Sequence, residues 1–244
     1  MSTTLLIVTV LLGISFIGAA SFYFRSTLKL LYLMTRATPY TQTIPGAPRI
    51  LVLGDSTGYG TGTYNPARTV AGRIGSQFSV TIENDSVNGR TIGDLTSKAT
   101  LCTGRYELIL LQIGGNDILD KRDVAMVENE LRALVKTLVG HTDHLLMIAA
   151  GNVGASPYYT GATAAYYEQA SREFRAMFLR VASETDLTYV DLFEEPENDA
   201  IVQNPDTYVS VDGLHPNETG YKEWYNALLP VIEPILKTHK INTP

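Results

Sequence analysis

The sequence predicts an α/β protein in which a parallel five-stranded sheet lies between two layers of helices, a three-layer doubly wound (flavodoxin-like) fold. Two observations predict this fold. Short apolar runs alternate with helix-like stretches from residue 49 onwards, and residues 108–113 are apolar almost throughout, as in a central strand buried on both faces. The chain of 244 residues is long enough for one such domain, and its 45% apolar and 18% charged residues are typical of a globular protein.

Residues 1–36 are interpreted as a membrane anchor and its flank. Residues 5–24 are almost wholly apolar, and twenty helical residues span about 30 Å, the thickness of the hydrocarbon core. A cleaved signal peptide is the competing interpretation, but the run has no basic start and exceeds the ~7–15 residues of a signal core. The sequence therefore predicts one N-terminal transmembrane helix, with residues 5–24 in contact with the lipid bilayer.

Positive charges follow the apolar run, at Arg25, Lys29 and Arg36, and none precedes it. The positive-inside rule then favours a domain that faces the cytoplasm, with the extracytoplasmic orientation as the alternative. Residues 37–48 contain three prolines and no periodicity, which predicts a linker. The main domain is expected to span residues 49–240.

The elements of that domain are predicted in order along the chain. Strands are expected at residues 50–53, 80–83, 108–113, 145–150 and 187–192. Helices are expected at residues 70–78, 91–102, 124–138, 162–185 and 217–237, and two prolines, Pro230 and Pro234, should kink or split the last one. Because parallel strands end at one edge of a sheet, functional residues are expected in the loops there.

Four short polar blocks fall on those loops. Ser56 follows the first strand in G-D-S, Gly89 follows the second in N-G, and Asn116 follows the third in G-G-N-D. Asp212 and His215 follow the fifth strand in D-G-L-H. A serine hydroxyl is a weak nucleophile that needs an adjacent base, and a histidine base needs an orienting carboxylate. The blocks supply all three groups.

Together, these blocks resemble those of the SGNH, or GDSL, hydrolase family, which is named for a serine, glycine, asparagine and histidine in four such positions. The resemblance covers residues 48–236, and the G-D-S is followed by Thr57 rather than leucine. It implies an esterase with Ser56, His215 and Asp212 as the catalytic triad and no cofactor or metal ion. The oxyanion hole would comprise the backbone N–H groups of Ser56 and Gly89 and the side-chain amide of Asn116.

Two aspartates next to these blocks are expected to have structural rather than catalytic roles. Asp55 is expected to brace the turn that holds the serine, and Asp117 is expected to cap the next helix. Five tyrosines on the loops are candidates for lining a substrate pocket: Tyr59, Tyr64, Tyr158, Tyr159 and Tyr208.

Other classes of function fit less well. The net charge of −6, without a cluster of Lys and Arg, argues against nucleic-acid binding. The glycines at residues 58–62 lack the spacing of a dinucleotide loop, and neither a P-loop nor an H-E-x-x-H metal motif is present. Residues 54–58 also fit the G-x-S-x-G elbow of α/β-hydrolases. Here, however, the serine follows the first strand of the domain, and the acid and the base lie together near the C-terminus, which suits the SGNH pattern better. Cys102, the single cysteine, excludes an intrachain disulfide.

The predicted function is that of a membrane-anchored serine esterase or lipase-like hydrolase, which cleaves small-molecule, lipid or glycan esters through an acyl-enzyme. O-acyl transfer and carbohydrate O-acetyl ester hydrolysis are alternatives that use the same residues. A catalytically silent, membrane-tethered binding module is the alternative from another class.

Overall fold

The computed structural model describes residues 2–98 and 104–237 and contains a wholly parallel sheet of five strands. The strands are β1 (Arg49–Gly54), β2 (Thr81–Asn84), β3 (Leu108–Gln112), β4 (Leu145–Ile148) and β5 (Leu187–Val190). Their order across the sheet is β2-β1-β3-β4-β5. This is a doubly wound order, because β2 lies on one side of β1 and the later strands follow on its other side, and it confirms the predicted fold class.

The α-helices of the described residues lie before, between and after these strands. They are α1 (Thr3–Arg36), α2 (Ser56–Tyr59), α3 (Val70–Phe78), α4 (Ile92–Lys98), α5 (Gly115–Leu119), α6 (Val124–Leu138), α7 (Gly161–Glu184), α8 (Ala200–Gln203), α9 (Pro205–Tyr208) and α10 (Glu218–Lys237). The short helices α5, α8 and α9 are in segments for which the sequence predicts loops. The part of the expected helix at residues 99–102, including Cys102, lies outside the described residues, as do residues 238–240.

Side chains of each central strand alternate between two cores. Ile50 and Val52 of β1 belong to the core under α3 and α10, whereas Leu51 and Leu53 belong to the core under α4, α6 and α7. Burying one such aliphatic side chain stabilises a fold by roughly 1.5–3 kcal/mol. The two cores account for the apolar strands, since both faces of the sheet are covered.

Local chemistry sets the helix boundaries. Thr69 accepts a hydrogen bond from the Gly72 N–H at the start of α3, and Asp123 accepts one from the Met126 N–H at the start of α6. Such caps satisfy N–H groups that have no partner within the helix. At the other end of the domain, α10 is one helix through both of its prolines, so the last helix is not split.

Residues 37–48 lie along the edge strand β2. The backbone of Gln42 exchanges two hydrogen bonds with Ile82, at 3.1 and 2.8 Å, and its side-chain amide donates to the Val80 carbonyl at 2.8 Å. Ile44 donates its N–H to Thr81 Oγ1 at 2.9 Å. The segment therefore covers the unpaired edge of the sheet. The predicted division into anchor, linker and domain stays a prediction.

Helix α1 covers the segment for which the sequence predicts a transmembrane span. Within the part of the chain that the structure describes, no helix contains a stretch that is both long and apolar enough to cross a membrane. The structure thus does not support the predicted transmembrane helix.

Candidate active site

Ser56 is the first residue of α2 and follows β1 directly, apart from Asp55. The Asp55 carboxylate accepts hydrogen bonds from the N–H and the hydroxyl of Thr57, both at 2.8 Å. Asp55 therefore braces the turn, as expected. Burial raises the pKa of this carboxyl, although the two bonds from Thr57 act in the opposite direction. The turn fixes the Ser56 hydroxyl at the carboxyl edge of the sheet, at the point where the strand order reverses.

His215 connects Ser56 to Asp212. The distance between Ser56 Oγ and His215 Nε2 is 2.7 Å, and the distance between His215 Nδ1 and Asp212 Oδ2 is also 2.7 Å. A hydrogen on Nδ1, donated to the carboxylate, leaves Nε2 to accept the serine O–H. His215 is 7% exposed and Asp212 is 4% exposed, so this chain of hydrogen bonds is largely shielded from water.

Asp212 is a buried carboxylate held in its charged form. Its Oδ1 accepts the backbone N–H groups of Leu214 at 3.0 Å and His215 at 3.1 Å. Burial alone would raise its pKa, but the hydrogen bond and charge of His215 and the two backbone N–H groups hold the pKa below its ordinary value. The carboxylate can therefore orient the imidazole and stabilise its cation.

The loop after Ser56 packs directly against the loop of His215. Gly62 has a φ of +109°, and a Cβ at this position would lie 2.1 Å from the Pro216 carbonyl oxygen and 3.1 Å from His215 Cβ. Only glycine fits so close an approach in this conformation. The glycine-rich stretch is thus a packing surface between the two loops that hold the serine and the histidine.

Two residues that sequence reasoning missed hold these loops in place. Thr61 is fully buried and donates its hydroxyl to Asn88 Oδ1 at 2.7 Å. Tyr221 of α10 donates its hydroxyl to the Thr61 carbonyl at 2.6 Å. Neither residue belongs to a recognisable motif, and the only signal for Thr61 is its position between two glycines. Together they link α10, the Ser56 loop and the loop that contains Gly89.

Gly89 and Asn116 line the same cavity as Ser56 and His215. Gly89 has a φ of +80°. The Asn116 amide donates one N–H to the Arg90 carbonyl at 3.0 Å, and a primary amide has a second N–H to donate. The N–H of Ser56 lies in the first turn of α2, where no partner within the helix exists. The cavity thus brings together the three residues that the sequence assigns to an oxyanion hole, whose catalytic role stays a prediction.

Asp117 has a different role from the one that the sequence predicts. It does not cap the next long helix, α6, which Asp123 caps instead. Its buried carboxylate accepts the Ile92 N–H at the start of α4, at 3.1 Å, and a hydrogen bond from Arg122 at 2.7 Å. Arg122 also pairs with Glu130 of α6. Burial raises the pKa of Asp117 to about 6, although Arg122 acts in the opposite direction. Asp117 therefore ties the β3 loop to α4 and α6.

The cavity at this site has a volume of about 330 Å³. Its polar end includes the side chains of Ser56, Asn116 and His215. Apolar side chains form much of the remaining wall: Leu30, Met34, Leu119, Val153, Ile201 and Val209. Among the described residues, no group of three or more His, Cys, Asp or Glu side chains is arranged to hold a metal ion.

The five candidate tyrosines differ in their positions. Tyr208 lines the cavity, and the other four are not among its described lining residues. Tyr64 packs edge-on against Tyr32, with 6.2 Å between ring centroids, and Tyr158 and Tyr159 pack against each other at 5.0 Å. The rings of Tyr64, Tyr158 and Tyr159 are therefore used in packing against other tyrosines.

Comparisons with known proteins agree with this fold. Three similar solved structures are TesA, the psychrotrophic esterase EstA from a Pseudoalteromonas species, and a catalytic mutant of the acetylxylan esterase Axe2 from Geobacillus stearothermophilus. TesA has a TM-score of 0.63 at 16% identity and covers 77% of this chain and 99% of its own. EstA has a TM-score of 0.57 at 21% identity and covers 78% of this chain and 99% of its own. Axe2 has a TM-score of 0.56 at 17% identity and covers 78% of this chain and 95% of its own. No curated protein matches the sequence.

The sequence itself matches a family model over residues 52–223, which is most of the chain. The matched segment contains Ser56, Gly89, Asn116, Asp212 and His215. Because the match and the fold agree, the chain belongs to the GDSL-like lipase/acylhydrolase family and is an ester-bond hydrolase.

Proposed function

We propose that the protein hydrolyses carboxylic esters, with Ser56 as nucleophile, His215 as general base and acid, and Asp212 as the orienting carboxylate. The observation that carries the proposal is the unbroken path of two 2.7 Å contacts from Ser56 Oγ through the imidazole to Asp212. A nucleophile and a base within hydrogen-bond reach, with the base held by a third group, is the geometry that activates a serine.

In the first half of the reaction, Ser56 Oγ attacks the ester carbonyl carbon while His215 Nε2 takes the hydroxyl proton. The carbonyl oxygen becomes an oxyanion, which accepts hydrogen bonds from the N–H groups of Ser56 and Gly89 and from the Asn116 amide. The bond to the alkoxy oxygen then breaks, and His215 gives its proton to the departing alcohol. The product of this half is an acyl ester on Ser56.

In the second half, water replaces the alcohol. His215 takes a proton from the water as its oxygen attacks the acyl carbon, and the same three donors stabilise the second oxyanion. Collapse releases the carboxylic acid and returns the proton to Ser56 Oγ. Asp212 keeps its charge throughout, because its pKa lies below the ordinary value for an aspartate.

Carbohydrate O-acetyl ester hydrolysis is a second candidate, favoured by the similarity to acetylxylan esterases. It differs from the first only in the substrate. O-acyl transfer would replace water by an alcohol acceptor in the second half. Chromatography of the products formed with an added alcohol distinguishes transfer, which gives a new ester, from hydrolysis, which gives the acid.

Membrane association through residues 5–24 and a cytoplasm-facing domain stay proposals from the sequence. Exposed apolar side chains on α1, such as Phe16 and Ile17, support an association with lipid. Sedimentation of the full chain with phospholipid vesicles tests the association, and protease protection in sealed vesicles tests the orientation. A protein that stays in the supernatant would contradict the proposal.

The central test is turnover of p-nitrophenyl acetate and butyrate by the full chain and by Ser56→Ala. We expect the rate to fall by about 10⁴-fold or more, because loss of the nucleophile removes the acyl-enzyme route. Ser76→Ala is the matched control, since Ser76 is exposed on α3 and should leave the rate unchanged. Equal rates for the wild type and Ser56→Ala would refute the proposal. A fluorophosphonate probe should label the peptide that contains Ser56.

A further inference from the structure

The end of α1 forms part of the cavity that contains Ser56 and His215. Leu30 and Met34 line that cavity, although both precede the family match, which begins at residue 52. Leu33 and Ala37, which are 2% and 4% exposed, are buried beside them. Residues at positions i, i+3, i+4 and i+7 share one face of a helix. This face comprises residues 30, 33 and 34 of α1 and Ala37, which directly follows the helix and donates its N–H to the Leu33 carbonyl at 2.9 Å. It is called the inner face of α1 below.

The inner face is held against the domain by contacts around it. Tyr32 packs edge-on against Tyr64, which lies in the loop after Ser56. The Thr38 carbonyl oxygen lies 3.8 Å from the position that a Cβ of Gly60 would occupy. Further along, Gln42 is hydrogen-bonded to β2. The end of α1 is therefore held against the domain by the ring contact of Tyr32 and by the segment that follows the helix.

The opposite side of the same turns is exposed. Leu31 is 52% exposed although it is as apolar as its neighbour Leu30. Two leucines that are adjacent in the sequence thus differ in one respect, since one lines the cavity and the other faces outwards. They form a matched pair for testing what the inner face does.

The chemistry of the cavity wall fits an acyl chain. Leu30 and Met34 share the wall with Leu119, Val153 and Ile201. The described lining residues include two aspartates, Asp55 and Asp199, and no Lys or Arg. A volume of about 330 Å³ is large enough for a ligand of several carbon atoms, whereas an acetyl group has only one methyl. An apolar wall of this size favours substrates that extend along it.

We propose that Leu30 and Met34 of α1 are specificity-determining residues that form part of the acyl-binding wall and make the enzyme prefer esters of apolar chains of medium length. This proposal rests on the proposed ester hydrolysis at Ser56. Each methylene that the wall buries should raise kcat/KM by about fourfold. The preference then depends on a helix that the family match does not include.

The test is the chain-length dependence of kcat/KM for p-nitrophenyl acetate, butyrate, hexanoate and octanoate below their micelle concentrations. Wild type, Leu30→Ala, Met34→Ala and the matched control Leu31→Ala are compared as full chains. We expect kcat/KM of the wild type to rise with chain length. Leu30→Ala and Met34→Ala should lower the octanoate value by about tenfold and leave the acetate value within about twofold, because only the longer chain reaches these side chains. Leu31→Ala should change neither value.

Three outcomes overturn the proposal. A wild type that prefers acetate would show that the wall does not bind an acyl chain, and would favour the acetyl esterase alternative. Equal effects of Leu30→Ala and Leu31→Ala, or equal losses on acetate and octanoate, would show that α1 has only a structural role. Met34→Gln, which keeps the length of the side chain and adds a polar amide, repeats the test with less loss of packing.

A binding measurement separates this proposal from the proposed function. Calorimetric titration with octanoate and acetate requires no catalysis. We expect octanoate to bind the wild type and to bind Leu30→Ala about tenfold more weakly. Octanoate binding that weakens in Leu30→Ala, without any ester turnover, would refute the proposed function and leave only the acyl-binding wall in place. Turnover of short esters without octanoate binding would refute the acyl wall alone.

Discussion

Two buried aspartates at the carboxyl edge of the sheet, Asp212 and Asp117, differ in what surrounds them. Asp212 precedes His215 by three residues, and Asp117 directly follows Asn116. Both aspartates are therefore close in the sequence to a residue with a proposed catalytic role. Asp212 accepts hydrogen bonds from its own short loop and from the imidazole. Asp117 accepts hydrogen bonds from the start of α4 and from Arg122.

The partners give the two carboxyls opposite pKa shifts. Burial acts to raise the pKa of both, but the hydrogen bonds around Asp212 prevail and lower its pKa, whereas the pKa of Asp117 rises to about 6. Asp212 is therefore suited to stabilise a histidine cation, and Asp117 is suited to tie elements together. A buried aspartate beside an active-site motif thus has its role set by its partners.

The largest effect is expected for Asp212→Asn. The asparagine keeps the shape but favours the wrong imidazole tautomer, so kcat should fall by about 10⁴-fold. Ester turnover under saturating conditions measures it, and Asp206→Asn on the exposed surface of α9 is the control. A fall of less than tenfold would show that Asp212 does not act through His215.

Asn116→Ala should have the next largest effect, because it removes one proposed oxyanion donor. We expect kcat to fall by about 10²–10³-fold with a smaller change in KM. Steady-state kinetics on a short ester separate the two parameters. A change in KM alone would mean that Asn116 binds the substrate and does not stabilise the oxyanion.

Asp117→Ala should affect stability more than chemistry. It leaves the Ile92 N–H without its acceptor and removes one partner of Arg122, which keeps Glu130. We expect the free energy of unfolding to fall by about 2–3 kcal/mol, with kcat within tenfold of the wild type. Urea unfolding and ester turnover measure the two quantities. Unchanged stability with a large loss of kcat would reverse the assignment of roles.

The smallest effect is a difference in pH dependence. A carboxyl with a raised pKa stabilises the fold in its protonated form, so the contribution of Asp117 is fully present below about pH 4 and is lost as the pH rises through about 6. Between pH 5 and pH 7 the loss should be on the order of 1 kcal/mol. The contribution of Asp212, whose pKa is lowered, is present above about pH 4 and is lost as the pH falls below that value.

Urea unfolding of the wild type and of Asp117→Asn at pH 5, 6 and 7 measures this difference. Contributions from groups that both proteins share cancel in the comparison, because the two proteins differ only in whether residue 117 can titrate. The free energy of unfolding should decline less with pH in the variant than in the wild type. Parallel pH profiles would show that Asp117 does not titrate in this range.

The sequence was sufficient for the sheet and for the residues around Ser56. β1, β3 and β4 are short, mainly apolar runs, and the alternation of strands with helices predicts that the sheet is parallel. The residues proposed for chemistry lie in short blocks, so His215 and Asp212 could be named from a four-residue motif. In such blocks, local sequence carries most of the information about geometry.

Contacts between distant segments could not be predicted from the sequence. The partner of Asp117 at Ile92 lies 25 residues away on another helix, and no local pattern identifies it. The inner face of α1 has helical spacing in the sequence, but the apolar run before it dominates the pattern and suggests a membrane anchor. Leu30 lines the cavity and Leu31 faces outwards because of the way in which α1 packs against the folded domain. This packing cannot be read from the sequence.

The close contact at Gly62 has a consequence for folding. Ser56 and His215 are 159 residues apart in the chain, and their loops meet where Pro216 approaches Gly62. Contacts between such distant segments form late, because a long loop must close before they are made. During refolding, the helical circular dichroism signal should therefore recover first. Ester turnover should recover later, when α10 has docked against the domain. In a refolding experiment, the rate at which activity recovers therefore measures the last step of folding.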